Sequence, residues 1–261
     1  MSGRPVRVGL SVATATVAAL LLVGCGTSGP TGTTTTSAPP GSTTSVPPST
    51  STTQSSVPAG LGPYQALWPF RTAGEVAAWE QAYRAGGSDA WHLQAGATAV
   101  RFTTGFLGFA DIGSVLGTVT NGTGGHVTVG FRPSVSQSSP SAVVHLVRWG
   151  SGSTAPWEVV GTDDATFTTT TPAYGAHASS PLRIGGEITG VDENIRVEVR
   201  QPSSGPPLGS YCCLPAGGTG TPWSASVSYR GATDPVLTVV AVTGGHVQTH
   251  ERFTVTAVRT G

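Results

Sequence analysis

Two stretches of the chain carry apolar residues at the three-to-four-residue spacing of an amphipathic helix. The first opens with the capping-box pattern Thr72-Ala-Gly-Glu75 and stops at Gly86-Gly87. The second is predicted over residues 95–107. The apolar positions that share a face are Val76, Trp79 and Tyr83 in the first helix and Ala99, Phe102, Phe106 and Phe109 in or beside the second. We expect these aromatic side chains to fill a core.

Short apolar or alternating stretches follow the helices and predict strands. They cover residues 115–120, 126–131, 142–149, 157–160 and 165–171, and the first two flank a hairpin loop at 121–125. Two helices followed by strands predict an α+β domain over residues 63–175, with a curved antiparallel sheet. The element order and the Trp-x-Val-Val strand at 157–160 resemble cystatin and NTF2-like folds, in which a curved sheet wraps a helix.

Alternation without helical spacing continues after residue 176. Ile195, Val197 and Val199 alternate with charged residues, which is the pattern of a half-buried strand. Further strands are predicted at 180–188, 223–229, 236–242 and 246–258. Several short strands with Pro/Gly turns predict an all-β, immunoglobulin-like sandwich over residues 176–261. Its core must be held by packing, because the sequence shows no cysteine pair of the kind that bridges such sheets.

The first 24 residues indicate export. Arg4 and Arg7 precede an uncharged, mostly apolar stretch at 8–23, which is short for a membrane span. Leu22-Val-Gly-Cys25 resembles a bacterial lipobox, which implies a signal peptide over residues 1–24, cleavage between Gly24 and Cys25, and acylation of Cys25 with palmitate-type chains. We therefore expect a lipoprotein on the extracytoplasmic face of the cell membrane.

Residues 25–62 read as a tether. They are almost entirely Thr, Ser, Pro and Gly and carry no charge, so they cannot bury enough apolar surface to offset chain entropy. The composition predicts a disordered linker. An O-glycosylated stalk and a bare spacer both fit it.

Charge argues against one class of partner. All 13 basic residues are arginines, set against 13 acidic residues. Two of the arginines precede Cys25, so the mature chain keeps 11 against 13 and has a formal charge near −2. Since no basic patch is visible, we expect no nucleic-acid partner.

Two adjacent cysteines, Cys212 and Cys213, are the thiols left once Cys25 carries lipid. Neighbouring α-carbons lie ~3.8 Å apart across a trans peptide, closer than most disulfides allow. An exported protein nevertheless meets oxidising conditions. A vicinal disulfide and two free thiols both stay open. A thioredoxin-like role is disfavoured, because the two-residue spacer of that motif is missing.

The second region also carries a family resemblance. Four stretches resemble the immunoglobulin-like domain associated with bacterial spore germination proteins. They are the opening Ser-Ser-Pro-Leu-Arg-Ile-Gly-Gly-Glu at 179–187, the Ile-Arg-Val-Glu-Val strand, Pro-Trp-Ser-Ala-Ser-Val at 222–227 and the closing Thr-Gly-Gly-His hairpin. The resemblance covers residues 176–258 and implies an exported lipoprotein domain without established catalytic residues. An insertion at 202–220 departs from the pattern, and no germination-type domain is recognisable upstream, so a link to sporulation stays open.

Histidines form two patterns with chemical meaning. Thr-Gly-Gly-His-Val occurs at 123–127 and at 243–247, which makes His126 and His246 candidate halves of one site. Two separate hairpin turns account for the repeat better. His246 and His250 have the spacing of zinc ligands on a helix, but on the strand predicted there they would stand ~13 Å apart.

Carboxylates give one further candidate. Asp163-Asp164, with Glu158 nearby, is a possible acid–base pair, although a solvated turn is the favoured interpretation. The chain has no Gly-x-Ser-x-Gly nucleophile motif and no phosphate-binding loop. We therefore predict no catalytic residue, no metal ligand and no cofactor.

Together these patterns predict a lipid-anchored cell-envelope protein that acts as a non-catalytic binding or scaffold module. Its expected partners are the membrane, through the lipid, and an envelope protein or cell-wall component. It would bury an apolar patch or extend an exposed sheet edge. The alternative is a small-molecule receptor or enzyme with a pocket in the α+β domain that converges on His92, Asp111 or His145.

Overall fold

The computed structural model describes residues 60–134, 136–245 and 248–261, without the side chains of residues 191–193. This part of the chain is mostly β, with two short helices and two sheets. The helices are α1 (Ala73–Arg84) and α2 (Ala95–Arg101), with a 3-10 turn at Ala90–Leu93 and a π-helical turn at Phe102–Phe106. The strands are β1 (Ser114–Asn121), β2 (Gly124–Ser134), β3 (Gln137–Arg148), β4 (Trp157–Thr162), β5 (Ala176–Ala178), β6 (Leu182–Arg200), β7 (Gly209–Val227), β8 (Val236–Gly244) and β9 (Arg252–Thr260).

Both predicted helices are present. Thr72 caps α1, since its Oγ1 accepts a hydrogen bond from the Glu75 N–H at 3.2 Å. The Glu75 carboxylate accepts a hydrogen bond from the Arg71 N–H at 2.7 Å. In a standard capping box the donor is the N–H of the N-cap residue, here Thr72. Helix α2 ends at Arg101, and the π-helical turn then continues its buried face toward Leu107. The predicted aromatic face fills a core, with Phe102 and Phe109 almost fully buried.

Strands β1 to β4 form an antiparallel sheet in sequential order. The β1–β2 hairpin is tighter than the loop predicted at 121–125, because Gly124 already pairs with Asn121. The positive φ of this turn falls on Gly122, at 54°, and not on Gly124 or Gly125. Gly125 instead lies against Trp157, whose ring atoms would be 3.3 Å from an added Cβ.

The strand predicted at 165–171 does not complete this sheet. It runs beside β6 of the other sheet, through bridges from Phe167 to Ile188 and from Thr171 to Gly185. Gly186 permits this approach, because a Cβ there would lie 1.9 Å from the Thr168 carbonyl oxygen. The Gly-Gly pair that opens the second region therefore has a packing role.

The second sheet has the order β5-β9-β8-β6-β7, with β5 parallel to β9. Three predictions need correction here. The stretches 180–188 and 195–199 belong to one strand, β6. The strand predicted at 223–229 already begins at Gly209, within the segment 202–220, and forms its partner β7. The closing strand begins at Arg252, so His250 lies in the preceding loop. Register shifts between Ile188 and Glu193 interrupt the β6–β7 ladder.

One hydrophobic core joins the two sheets. It combines side chains of α2 and the first sheet with side chains of β8 and β9, among them Phe102, Val144, Val159, Val240, Phe253 and Val255. The boundary predicted between residues 175 and 176 coincides with the start of β5, yet this core crosses it. The space that a curved sheet would leave for a pocket is thus filled by α2 and by the second sheet.

Two further clusters complete the interior. One gathers buried residues of β6 and β7, including Ile184, Ile195 and Trp223, together with Phe167 and residues of β8 and β9. The other packs α1 against the first sheet and includes Leu61, which the sequence had assigned to the tether.

The N-terminal predictions concern a part of the chain that the structure does not cover. The signal peptide, the Gly24–Cys25 cleavage position, the lipidated Cys25 and the tether up to residue 59 lie outside the described residues. Within the described ranges, no helix is both long and apolar enough to cross a membrane.

Candidate functional site

A groove of about 530 Å³ lies between β4 and β9. Strand β4 is the edge of the first sheet, and β5 covers the outer edge of β9 only at Val258–Thr260. Thr162 links the two strands, since its Oγ1 accepts a hydrogen bond from the Val255 N–H at 2.8 Å. The groove is therefore a gap between two sheet edges, and Val255 of the shared core is among the residues that line it.

Most of the residues that line the groove have polar side chains. Six threonines and two tyrosines line it, together with Asp163 and Asp164. Tyr174 is held in place, because its hydroxyl donates to the Val160 carbonyl at 2.9 Å and accepts from the Gln65 N–H at 2.8 Å. Although the residue as a whole is exposed, its hydroxyl is partly buried, and this raises the pKa of Tyr174 to about 12. Hydroxyls and carboxylates of this kind suit a polar ligand that donates hydrogen bonds.

Two histidines meet one carboxylate at the end of the groove. His126 Nε2 lies 2.8 Å from Asp163 Oδ2, and His145 Nδ1 lies 3.2 Å from the same oxygen. The two imidazole rings stack, with centroids 4.7 Å apart and planes 24° apart. We call His126, His145 and Asp163 the His–His–Asp cluster.

Sheet register creates this cluster. His126 is paired with His145 across β2 and β3, so both side chains stand on the face opposite the shared core. Asp163 follows β4, and its N–H donates to the Val143 carbonyl at 2.9 Å, which brings the carboxylate over β3. Tyr64 meets the His145 ring edge-on, with centroids 5.1 Å apart. Burial lowers the pKa of His145, while the Asp163 charge opposes that shift.

The three carboxylates singled out in the sequence do not form one site. Asp164 accepts hydrogen bonds from the Thr166 N–H at 2.7 Å and hydroxyl at 2.8 Å, as expected for a turn. Glu158 is fully buried beside α1 and accepts from the Phe70 N–H at 3.2 Å. Burial raises the pKa of Glu158 well above its ordinary value. Of the three, only Asp163 meets the histidines.

The three residues expected to converge on one pocket, His92, Asp111 and His145, do not share a site in the structure. His92 stacks between aromatic rings, with centroids 4.8 Å from Phe70 and 3.6 Å from Trp91, and burial lowers its pKa to about 4. Asp111 Oδ2 accepts from the His250 N–H at 3.2 Å, away from the groove lining. His145 alone of the expected three lines the groove.

His246 lies outside the described residues, so neither its pairing with His250 nor a shared site with His126 has a structural description. Cys212 and Cys213 are joined by a disulfide in the structure. They sit on the outer strand β7, beside a small pocket with Arg196 and Thr249.

Sequence reasoning named His126, His145 and Asp163 separately and did not combine them. The sequence alone does not give the β2–β3 register, in which Ser134 pairs with Gln137 and His126 pairs with His145. Comparison of the chain with protein-family models, with curated proteins and with solved structures gives no match.

Proposed function

We propose that this chain is a lipid-anchored cell-envelope protein whose folded part is a non-catalytic binding module, with the groove between β4 and β9 as its contact surface. The single observation that carries the binding role is this polar groove at two sheet edges. Its partner is a component of the envelope or cell wall that presents hydrogen-bond donors. The anchor rests on Leu22-Val-Gly-Cys25 and the upstream arginines.

The surface favours the groove over an apolar patch. Among the described residues the exposed large hydrophobic side chains are Val119, Tyr174 and Tyr211, which lie on different elements or loops. Scattered apolar residues of this kind are ordinary on a protein surface. The outer strand β7 is a poor template for strand addition, because Pro215 and Pro222 lack the N–H that a new neighbour would need.

The immunoglobulin-like assignment of residues 176–261 belongs to the proposal. It is supported by a short first strand that runs parallel to the last strand and by the antiparallel order β9-β8-β6-β7. Ile195, Val197 and Val199 on β6 are buried, as the sequence pattern predicts. Glu198 and Arg200 are buried as well, so the charged outer face expected for a half-buried strand is absent at these two positions. The segment at 166–171 extends this arrangement along β6.

The anchor is tested by Cys25→Ala in the native host. Wild-type protein should take up labelled palmitate and fractionate with membranes, whereas the variant should do neither. Palmitate uptake by the variant, or its absence from the wild type, would refute lipidation at Cys25. Because the folded part is unchanged, this outcome is independent of the binding role.

The groove is tested by in-cell photocrosslinking. A photoreactive amino acid replaces Thr170, which is exposed and lines the groove, or Thr219, which is also exposed but lies on β7 and does not line the groove. We expect the same envelope component to be captured repeatedly from position 170 and not from position 219. Identical capture from both positions, or none from 170 in correctly anchored protein, would contradict the groove as the contact surface.

The His–His–Asp cluster favours a second candidate, a small-molecule receptor or enzyme that uses the same groove. Imidazole and carboxylate groups side by side are the usual components of acid–base and metal chemistry. Saturable binding of a small polar molecule, abolished by His145→Ala while in-cell capture is unchanged, would replace the binding-module proposal with this one.

A further inference from the structure

We propose that the His–His–Asp cluster is a binding site for a divalent transition-metal ion, held by His126 Nε2, His145 Nδ1 and Asp163 Oδ2. The proposal rests on the geometry of these three side chains and does not depend on the lipid anchor or on the partner of the groove.

The donor atoms already converge. They lie within 4.8 Å of one another, and the two distances to Asp163 Oδ2 are 2.8 and 3.2 Å. In a tetrahedral zinc site with metal–nitrogen bonds of about 2.0–2.1 Å, neighbouring donors stand about 3.3 Å apart. An ion therefore needs small rotations of the side chains, which separate the His126 and Asp163 donors slightly and bring any wider donor pair closer together.

The chemistry of the donors selects the class of ion. Two imidazole nitrogens and one carboxylate oxygen suit Zn²⁺ and Cu²⁺, whereas Mg²⁺ and Ca²⁺ prefer oxygen ligands throughout. Adjacent paired strands fix both histidines, and the edge-on Tyr64 ring further restrains His145. Such preorganisation lowers the entropic cost of binding.

The coordination is incomplete on the groove side. His145 and Asp163 line the groove, and the side chains of His126 and Asp163 are 44% and 48% exposed. Three protein ligands with an open fourth position are typical of sites where a metal binds water or an external ligand. A ligand in the groove would thus be able to complete the coordination.

The test measures binding of Zn²⁺ to the full-length protein in detergent, by calorimetry without reductant, so that Cys212 and Cys213 stay oxidised. We expect one ion per chain and a loss of affinity of more than tenfold in each of His126→Ala, His145→Ala and Asp163→Asn. The matched control is His177→Ala, because His177 is exposed on β5 away from the cluster. Its affinity should stay within twofold of the wild type.

A second measurement needs no substitution. In electron paramagnetic resonance of the Cu²⁺-loaded wild type, the spectrum should show two coordinated imidazole nitrogens. Zn²⁺ affinity retained within twofold in both His126→Ala and His145→Ala would overturn the proposal. So would a nitrogen count other than two, or no stoichiometric binding of either ion at ~100 μM.

Discussion

The approach of residues 166–171 to β6 makes Gly186→Ala an informative perturbation. The added Cβ would stand 1.9 Å from the Thr168 carbonyl oxygen and 2.7 Å from its carbon, both backbone atoms. Real Cβ atoms essentially never come within 3.0 Å of such a neighbour, so the segment would have to retreat by about 1 Å. No flexible side chain can absorb the overlap.

The cost follows from what that retreat disturbs. The Thr168 and Thr170 N–H groups donate to the Glu187 and Gly185 carbonyls at 2.9 Å each. Each such bond contributes about 0.5–1.5 kcal/mol, and overpacking itself costs about 1–3 kcal/mol. We expect a total loss of about 3 kcal/mol in the free energy of unfolding. For a folded region of this size, that loss lowers the unfolding midpoint by roughly 6–12 °C.

Thermal and denaturant unfolding of the full chain, followed by circular dichroism, measure this loss. The matched control is Gly205→Ala, because a Cβ at Gly205 would meet nothing within 4 Å. The control should stay within about 0.5 kcal/mol of the wild type. If Gly186→Ala proved as stable as Gly205→Ala, residues 166–171 would not pack on β6 as described, and one wall of the groove would be misassigned.

Three further predictions concern buried or reactive groups. Burial raises the pKa of Glu158, so its contribution to stability is full below about pH 4.5 and is lost as pH rises through the folded-state pKa. In urea titrations at several pH values, Glu158→Gln should therefore gain stability relative to the wild type over that range. Parallel stability curves for the two proteins would refute this prediction. The pH dependence of the His92 contribution to stability runs the other way, because its pKa is about 4 in the folded state and 6.5 in the unfolded state. The wild type should therefore lose stability relative to His92→Phe as pH falls from 6.5 to 4. A stability difference that does not change with pH would contradict this. Thiol titration of the unreduced protein should find neither Cys212 nor Cys213 free. Reduction should lower the free energy of unfolding by less than the about 3 kcal/mol typical of a 15-residue disulfide loop, because a bridge between adjacent residues restrains so little chain. A larger loss would contradict this and mean that the bridge supports β7.

Local patterns determined the elements of this protein. The Thr72 cap, the glycines that stop α1, the alternating residues of β2 and β9 and the apolar run of β8 specify their conformation through contacts between near neighbours in sequence. Those signals predict the two helices and strands β1, β2, β4 and β8 within a few residues, whereas the extents of β6, β7 and β9 had to be corrected. The exported, lipid-anchored location is likewise a sequence-level prediction, because Cys25 and its flanking residues are recognised as a linear motif.

Tertiary structure decided how these elements assemble. Periodicity could not tell that residues 166–171 pair with β6, since a strand pattern does not name its neighbour, or that one core crosses residue 175. The His–His–Asp cluster depends on register in the same way. Two register shifts in the β2–β3 hairpin, beside Gly130 and between Phe131 and Ser134, cancel and bring His126 opposite His145. A single uncompensated shift of one residue would turn one of these histidines to the other face of the sheet. The sequence contains the residues of the His–His–Asp cluster, but only the pairing of strands in the folded sheet brings them into contact.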